Sequence, residues 1–102
     1  MRLIVFFDLP IETAAQRKSY RIFRRFLIKD GYQMLQKSVY AKMVTDGQAA
    51  ESATARLRKN KPHYGLVQLL KVNETQYAGI EDIAGESNKT SIVDDMSRLI
   101  VL

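Results

Sequence analysis

Cysteine and tryptophan are absent from this 102-residue chain, and histidine occurs once, at His63. Without cysteine there can be no disulfide framework, no thiolate zinc site and no thiol nucleophile. A lone histidine excludes a paired-histidine metal helix. Long apolar runs are missing too. The longest near the start, Leu3 to Phe7, covers five residues before Asp8 interrupts it. A secretory core needs roughly 7–15 apolar residues and a membrane span about 20. A cytoplasmic location is therefore expected, and the lack of cysteine fits a reducing compartment. Two prolines and 102 residues leave room for one domain with one core; a chain of this size buries roughly 60–70% of its unfolded surface.

What the chain does have is positive charge, unevenly placed. Sixteen Lys and Arg oppose eleven Asp and Glu, for a net +5. Residues 1–45 carry nine bases against three acids, +6, and residues 46–73 add +3. Residues 74–102 hold two bases and six acids, −4. A basic body with an acidic tail is an interaction signature, pointing to a polyanion on one surface and a protein on another.

The segment Arg2 to Asp8 reads as a central strand buried on both faces, since it is continuous, β-branched and aromatic. Pro10 closes it. Thr13 and Gln16 form a capping box that opens a helix running to about Asp30, with Gly31 as its stop. Gln16, Tyr20, Phe23 and Leu27 line one side of that helix, with Phe26 beside them. Lys18, Arg21, Arg25 and Lys29 line the opposite side, flanked by Arg17 and Arg24. Tyr32 to Val44 reads as one bent strand or as two short paired strands. A second helix is expected over Gly47–Lys59, a second buried strand over Tyr64–Val72, and a helical turn capped by Asn73. Ile80 to Ile83 and Arg98 to Leu102 read as short strands separated by a polar loop. Met34, Met43 and Met96 read as packing residues.

Strand–helix–strand, doubled within about 78 residues, predicts an α+β fold of ferredoxin-like βαββαβ form. Both helices would lie on one face of an antiparallel sheet, and residues 79–102 would form a C-terminal extension with an extra strand. The other sheet face would be bare and the terminal RLIVL strand unpaired, so a homodimer is expected.

Three features carry candidate chemistry. Asp8 ends the first strand just before a proline turn. A carboxylate there serves as a helix cap, as a salt-bridge partner, or as a Mg²⁺ ligand, since magnesium takes one or two carboxylates with waters and phosphate oxygens. The basic stripe of the first helix contains no acid, and unrelieved like charges four residues apart are mildly destabilising. Phosphate backbone is the natural counterpart. His63 lies in a loop and reads as surface. Asp94 and Asp95 are adjacent, so a strand would send them to opposite sides. An RNA-recognition-motif reading, a single-strand RNA-binding module without catalysis, is the alternative. KPHYGLVQLL approaches its signature but has Leu66, Val67 and Leu69 where stacking aromatics belong.

Taken in order, IVFFDLP, the Arg17-Lys18-x-x-Arg21 helix, Gly31-Tyr32 and Gln36-Lys37-Ser38-Val39-Tyr40 resemble the CRISPR-associated protein two family. This is the small adaptation subunit that partners the CRISPR integrase. The stretch from Asn73 to Leu102 looks most like members from systems with a single large effector nuclease. The resemblance implies a homodimer whose terminal strand extends the partner's sheet. It also implies a complex in which two integrase dimers flank this dimer and insert captured DNA into the CRISPR array. Some members are described as Mg²⁺-dependent endonucleases acting on RNA or double-stranded DNA. Their catalytic, metal-binding aspartate falls on Asp8, facing its two-fold mate. One departure is Phe7, where a tyrosine usually precedes that aspartate. The expected nucleic-acid-binding residues are Arg17, Lys18, Arg21, Arg24 and Arg25.

Overall fold

The computed structural model describes residues 1–85. The chain runs β1 (Arg2–Asp8), α1 (Ala14–Lys29), β2 (Gln33–Gln36), β3 (Val39–Met43), α2 (Gly47–Lys59), β4 (Leu66–Val72) and α3 (Glu74–Ala78). The strands form one antiparallel sheet in the order β2-β3-β1-β4, so the first strand in sequence is central. Phe6 lies opposite Val39 on one side and Gln68 on the other.

Local chemistry sets the helix bounds. The Thr13 hydroxyl accepts from the Gln16 amide at 3.1 Å, and the Gln16 side chain accepts from the Thr13 amide at 3.1 Å. This reciprocal box opens α1. Asp30 caps the other end, and Gly31 follows at φ +97°. In α2 the cap is Asp46, whose carboxylate accepts from the Ala49 amide at 2.8 Å. The stretch between α1 and α2 resolves into two paired strands joined at Lys37–Ser38, with a bulge between Met34 and Gln36.

Side-chain alternation then divides the sheet. Leu3, Val5 and Phe7 are buried and pack in one cluster with Phe23 and Leu27 of α1 and Ala50, Ala53 and Leu57 of α2. Both helices therefore cover the same face. Phe7 makes three aromatic contacts there: edge-on to Phe23 at 5.3 Å and Tyr20 at 6.2 Å, and stacked on Tyr40 at 5.8 Å. At the far end of α1, the Asp30 carboxylate meets Arg56 at 2.8 Å and Lys42 at 3.5 Å, tying the helix to α2 and β3. Nearby, burial and the Asp30 charge push the Tyr32 hydroxyl up to about 12.

Several expectations are corrected. The strand β1 is buried on one face only, with Phe6 37% exposed, and β4 has no fully buried residue, with Leu66 57% and Leu70 52% exposed. An all-apolar run does not by itself show which of its two faces is covered. Asp8 is likewise exposed, not buried. Met34 and Met43 are exposed and do not pack in the core. Tyr64 and Gly65 precede β4, because Gly65 adopts φ +90° and breaks the extended run. Residues 80–83 form no strand; the Ile80 amide instead closes the end of α3 by donating to the Tyr77 carbonyl at 3.2 Å. The expected strand 98–102, the pair Asp94 and Asp95, and Met96 lie outside the described residues.

Candidate nucleic-acid interface and acidic cleft

The pattern of α1 places its bases as the spacing predicts. Phe23 and Leu27 are buried, while Arg17, Lys18, Arg21, Arg24, Arg25 and Lys29 are all exposed. The six are not equivalent. The Arg17 guanidinium donates from Nη1 to the carbonyls of Ile11 and Glu12, at 3.2 and 3.0 Å, and so clasps the β1–α1 loop. Arg24 donates from Nε to the Tyr40 hydroxyl at 3.0 Å, joining the helix to β3. Lys18, Arg21, Arg25 and Lys29 make no hydrogen bond or ion pair among the described residues. These four cations share one side of the helix and are open to a polyanion.

Asp8 stands elsewhere. Phe7 points to the helices, so its neighbour Asp8 points to the open face of the sheet. There it borders a shallow cleft of about 210 Å³ with Phe6, Ser38, Val39, Leu66 and Gln68. The end of β1 is pinned on both sides: the Phe7 amide donates to the Ser38 carbonyl at 3.0 Å, and Asp8 lies opposite Leu66. Gly65 backs this strand end. A Cβ built on it would lie 2.4 Å from the Asp8 carbonyl oxygen and 2.9 Å from the Leu9 Cα. Only a residue without a side chain lets the two backbones approach so closely. The Asp8 carboxylate itself accepts no hydrogen bond and pairs with no cation among the described residues. It is neither a cap nor a salt-bridge partner there. The departure at Phe7 is a packing matter: its ring lies in the aromatic cluster, on the face opposite the carboxylate.

Within one chain the basic stripe and Asp8 thus occupy opposite faces, and no single cleft holds both. Among the described residues no three His, Asp or Glu side chains gather closely enough to hold a metal ion. Asp8 is the single carboxylate that lines its cleft. Sequence reasoning missed Ser38, Gln68 and Gly65 as neighbours of Asp8. No signal for them existed before the pairing of β1 with β3 and with β4 was known. His63 lies in the α2–β4 loop, exposed, and is not among the residues that line the Asp8 cleft. No described helix is long and apolar enough to cross a membrane.

The family model described as CRISPR associated protein Cas2 matches residues 1–80. The chain belongs to the Cas2 family. A protein of Treponema denticola named CRISPR-associated endoribonuclease Cas2 is 50% identical over 102 residues, covering the whole of both chains. A Streptococcus mutans protein with the same name is 44% identical over 102 residues, all of this chain and 93% of the relative. Among solved structures, Streptococcus pyogenes Cas2 crystallised at pH 6.5 superposes with a TM-score of 0.63 at 22% identity, covering 82% of this chain and 100% of that one. That likeness places the fold with Cas2, as an α+β protein built on a four-stranded antiparallel sheet.

Proposed function

We propose that this Cas2-family chain is a DNA-binding homodimer of the CRISPR adaptation machinery, one that holds a captured duplex and bridges integrase dimers in the cytoplasm. The observation that carries the reading is the stripe Lys18, Arg21, Arg25 and Lys29, exposed and unpaired among the described residues, on a helix whose other side is locked into the core. Arg17 and Arg24 widen the band while their donated hydrogen bonds hold the helix in place. Phosphate contacts of this kind give salt-dependent affinity without base specificity, which suits a subunit that must accept any captured sequence. The strand order β2-β3-β1-β4, with helices on one face, supports the ferredoxin-like assignment. The open opposite face, carrying Phe6, Leu66 and Leu70, supports dimerisation there.

A second reading, a Mg²⁺-dependent endonuclease acting on RNA or DNA, is favoured by the unpaired Asp8 and by the relatives' naming as endoribonucleases. Asp8 would hold the ion together with its two-fold mate. Bound there, Mg²⁺ would supply Lewis-acid stabilisation of charge on a phosphoryl oxygen. The chain's own contribution is positional: Gly65 and the Ser38 turn fix the strand end that presents the carboxylate. The alternative of a non-catalytic RNA-recognition module loses ground, because Leu66 and Leu70 stand on the exposed sheet face where base-stacking aromatics would be needed.

Co-purification with the integrase and a protospacer duplex tests both readings, using wild type and Asp8→Asn. The variant is expected to assemble, bind duplex and support integration, and to lose Mg²⁺-dependent cleavage. Failure of the wild type to form the complex would sink the scaffold reading. Cleavage by Asp8→Asn at the wild-type rate would remove Asp8 from the metal site.

A further inference from the structure

The side of the sheet turned away from α1 and α2 is apolar along β4 except at one residue. Gln68 stands opposite Phe6 of β1, and alternation puts both side chains on that side. Its neighbours there along the strand are Leu66 and Leu70, 57% and 52% exposed. The Gln68 side chain makes no hydrogen bond among the described residues. Dimerisation on this face, as proposed above, would strip water from it, and a carboxamide shut away from water is costly unless it finds a hydrogen-bond partner. A leucine at this position would serve a purely apolar interface better.

Asp8 lies opposite Leu66, so Gln68 is its diagonal neighbour across the β1–β4 pair. Diagonal residues on one face stand about 7–8 Å apart, within reach of a long side chain. Both line the cleft of about 210 Å³, yet the carboxylate accepts no hydrogen bond among the described residues. The space suits a hydrated ion. A water takes about 30 Å³ of liquid volume, so the cleft has room for an ion with about six waters. It falls short of the roughly 300 Å³ at which ordinary organic-ligand pockets begin. The donor set is one carboxylate with neutral oxygens, and neither thiol nor imidazole lines the cleft. Oxygen donors of that kind fit magnesium, which dehydrates reluctantly and keeps several waters. Those waters donate hydrogen bonds, and the apolar walls Phe6, Val39 and Leu66 accept none. Ser38 sits in the turn with its carbonyl engaged by the Phe7 amide, whereas Gln68 brings a free carboxamide oxygen.

We propose that Gln68 is a positioning residue for the Asp8 site, its carboxamide oxygen accepting a hydrogen bond from a water carried by a magnesium ion on the Asp8 carboxylate. The inference rests on the second reading above, in which Asp8 is a magnesium ligand, and deepens it. Asp8 supplies the charge and the direct bond. Gln68 supplies orientation, by holding the hydration shell in one arrangement. Outer partners of this kind change metal affinity by about 10–100-fold when they are removed. The arrangement also gives the carboxamide the partner that a closed dimer face would otherwise deny it.

The test is isothermal titration of the full-length chain with magnesium chloride in the absence of nucleic acid, so that the readout is binding and not cleavage. Wild type is expected to bind the ion, and Asp8→Asn to lose it. Gln68→Leu should bind about 10–100-fold more weakly. Its thermal unfolding midpoint without the metal should stay at or above that of wild type, since leucine matches the apolar face. Gln68→Glu keeps the acceptor and should bind at least as tightly as wild type. Wild-type affinity in Gln68→Leu overturns the inference and leaves Asp8 as the ligand. So does a Gln68→Glu chain that binds as weakly as Gln68→Leu, which would tie the loss to the fold. No magnesium binding by wild type, or full binding by Asp8→Asn, overturns the reading of Asp8 itself, and the role of Gln68 falls with it.

Discussion

At Gly65 the backbone takes φ +90°, with a hypothetical Cβ 2.4 Å from the Asp8 carbonyl oxygen. Two costs coincide there for any other residue. A left-handed backbone costs of order 1–3 kcal/mol for a residue with a side chain, and the close approach is to rigid backbone rather than to a flexible tip. Gly65→Ala should therefore lower stability by at least about 1–3 kcal/mol in urea unfolding. A midpoint equal to wild type would mean that β4 shifts freely and that Asp8 is not held by it. Residue-scale chemistry was the part least legible in the sequence. Asp8 could be singled out as a candidate from its place before Pro10, but an apolar, strand-forming run gave no sign that the residue itself is exposed. Likewise nothing in the spacing separates Arg24, which donates to Tyr40, from Arg21 and Arg25, which do not. All three fall on the outward half of the helix.

Elements were far more legible than their partners. The bounds of α1 follow from Thr13, Gln16 and Gly31, and those of α2 from Asp46 and Asn60; both helices carry their signals within a few residues of each end. The Lys37–Ser38 turn was ambiguous because a two-residue connection lacking glycine resembles a bend. Residues 80–83 misled through composition: Ile80 and Ile83 are apolar, yet the Ile80 amide is spent on closing α3 and the segment joins no ladder. The stripe on α1 gives the prediction at this scale. Arg21→Glu combined with Arg25→Glu should weaken duplex binding and reduce the slope of log affinity against log salt by about 2, one for each phosphate no longer neutralised. Arg24→Ala should instead lower stability by about 1 kcal/mol, the usual value of a hydrogen bond. Duplex affinity and salt slope unchanged in the double variant would move the DNA site off α1.

For the whole molecule, the salient fact is a sheet that, among the described residues, has α1 and α2 on one side only. The cluster of Leu3, Val5, Phe7 and the two helices closes one layer, while Phe6, Met43, Leu66 and Leu70 remain open on the other. A symmetric copy laid on that face would bury these side chains and bring two Asp8 carboxylates toward one another. Leu66→Lys with Leu70→Lys should halve the mass seen by light scattering and leave the far-ultraviolet dichroism intact, since neither residue belongs to the core. A wild-type chain that is monomeric at micromolar concentration would end the dimer proposal, and a double variant that stays dimeric would move the interface elsewhere. The strand-and-helix alternation made the layer count readable, and placing both helices on one side of the sheet already left its other side bare.

The central position of β1 also bears on how the chain is made. Its ladder needs β3 on one edge and β4 on the other, and β4 ends only at Val72. At the usual 5–20 residues per second of synthesis, Arg2–Asp8 waits roughly 3–13 s for its last partner. Throughout that interval a sticky, half-paired LIVFF segment is open to the rest of the cell. Newly made chains thus pass through a window in which their most cohesive segment has nothing on one edge, and the many copies made from a single message share that window.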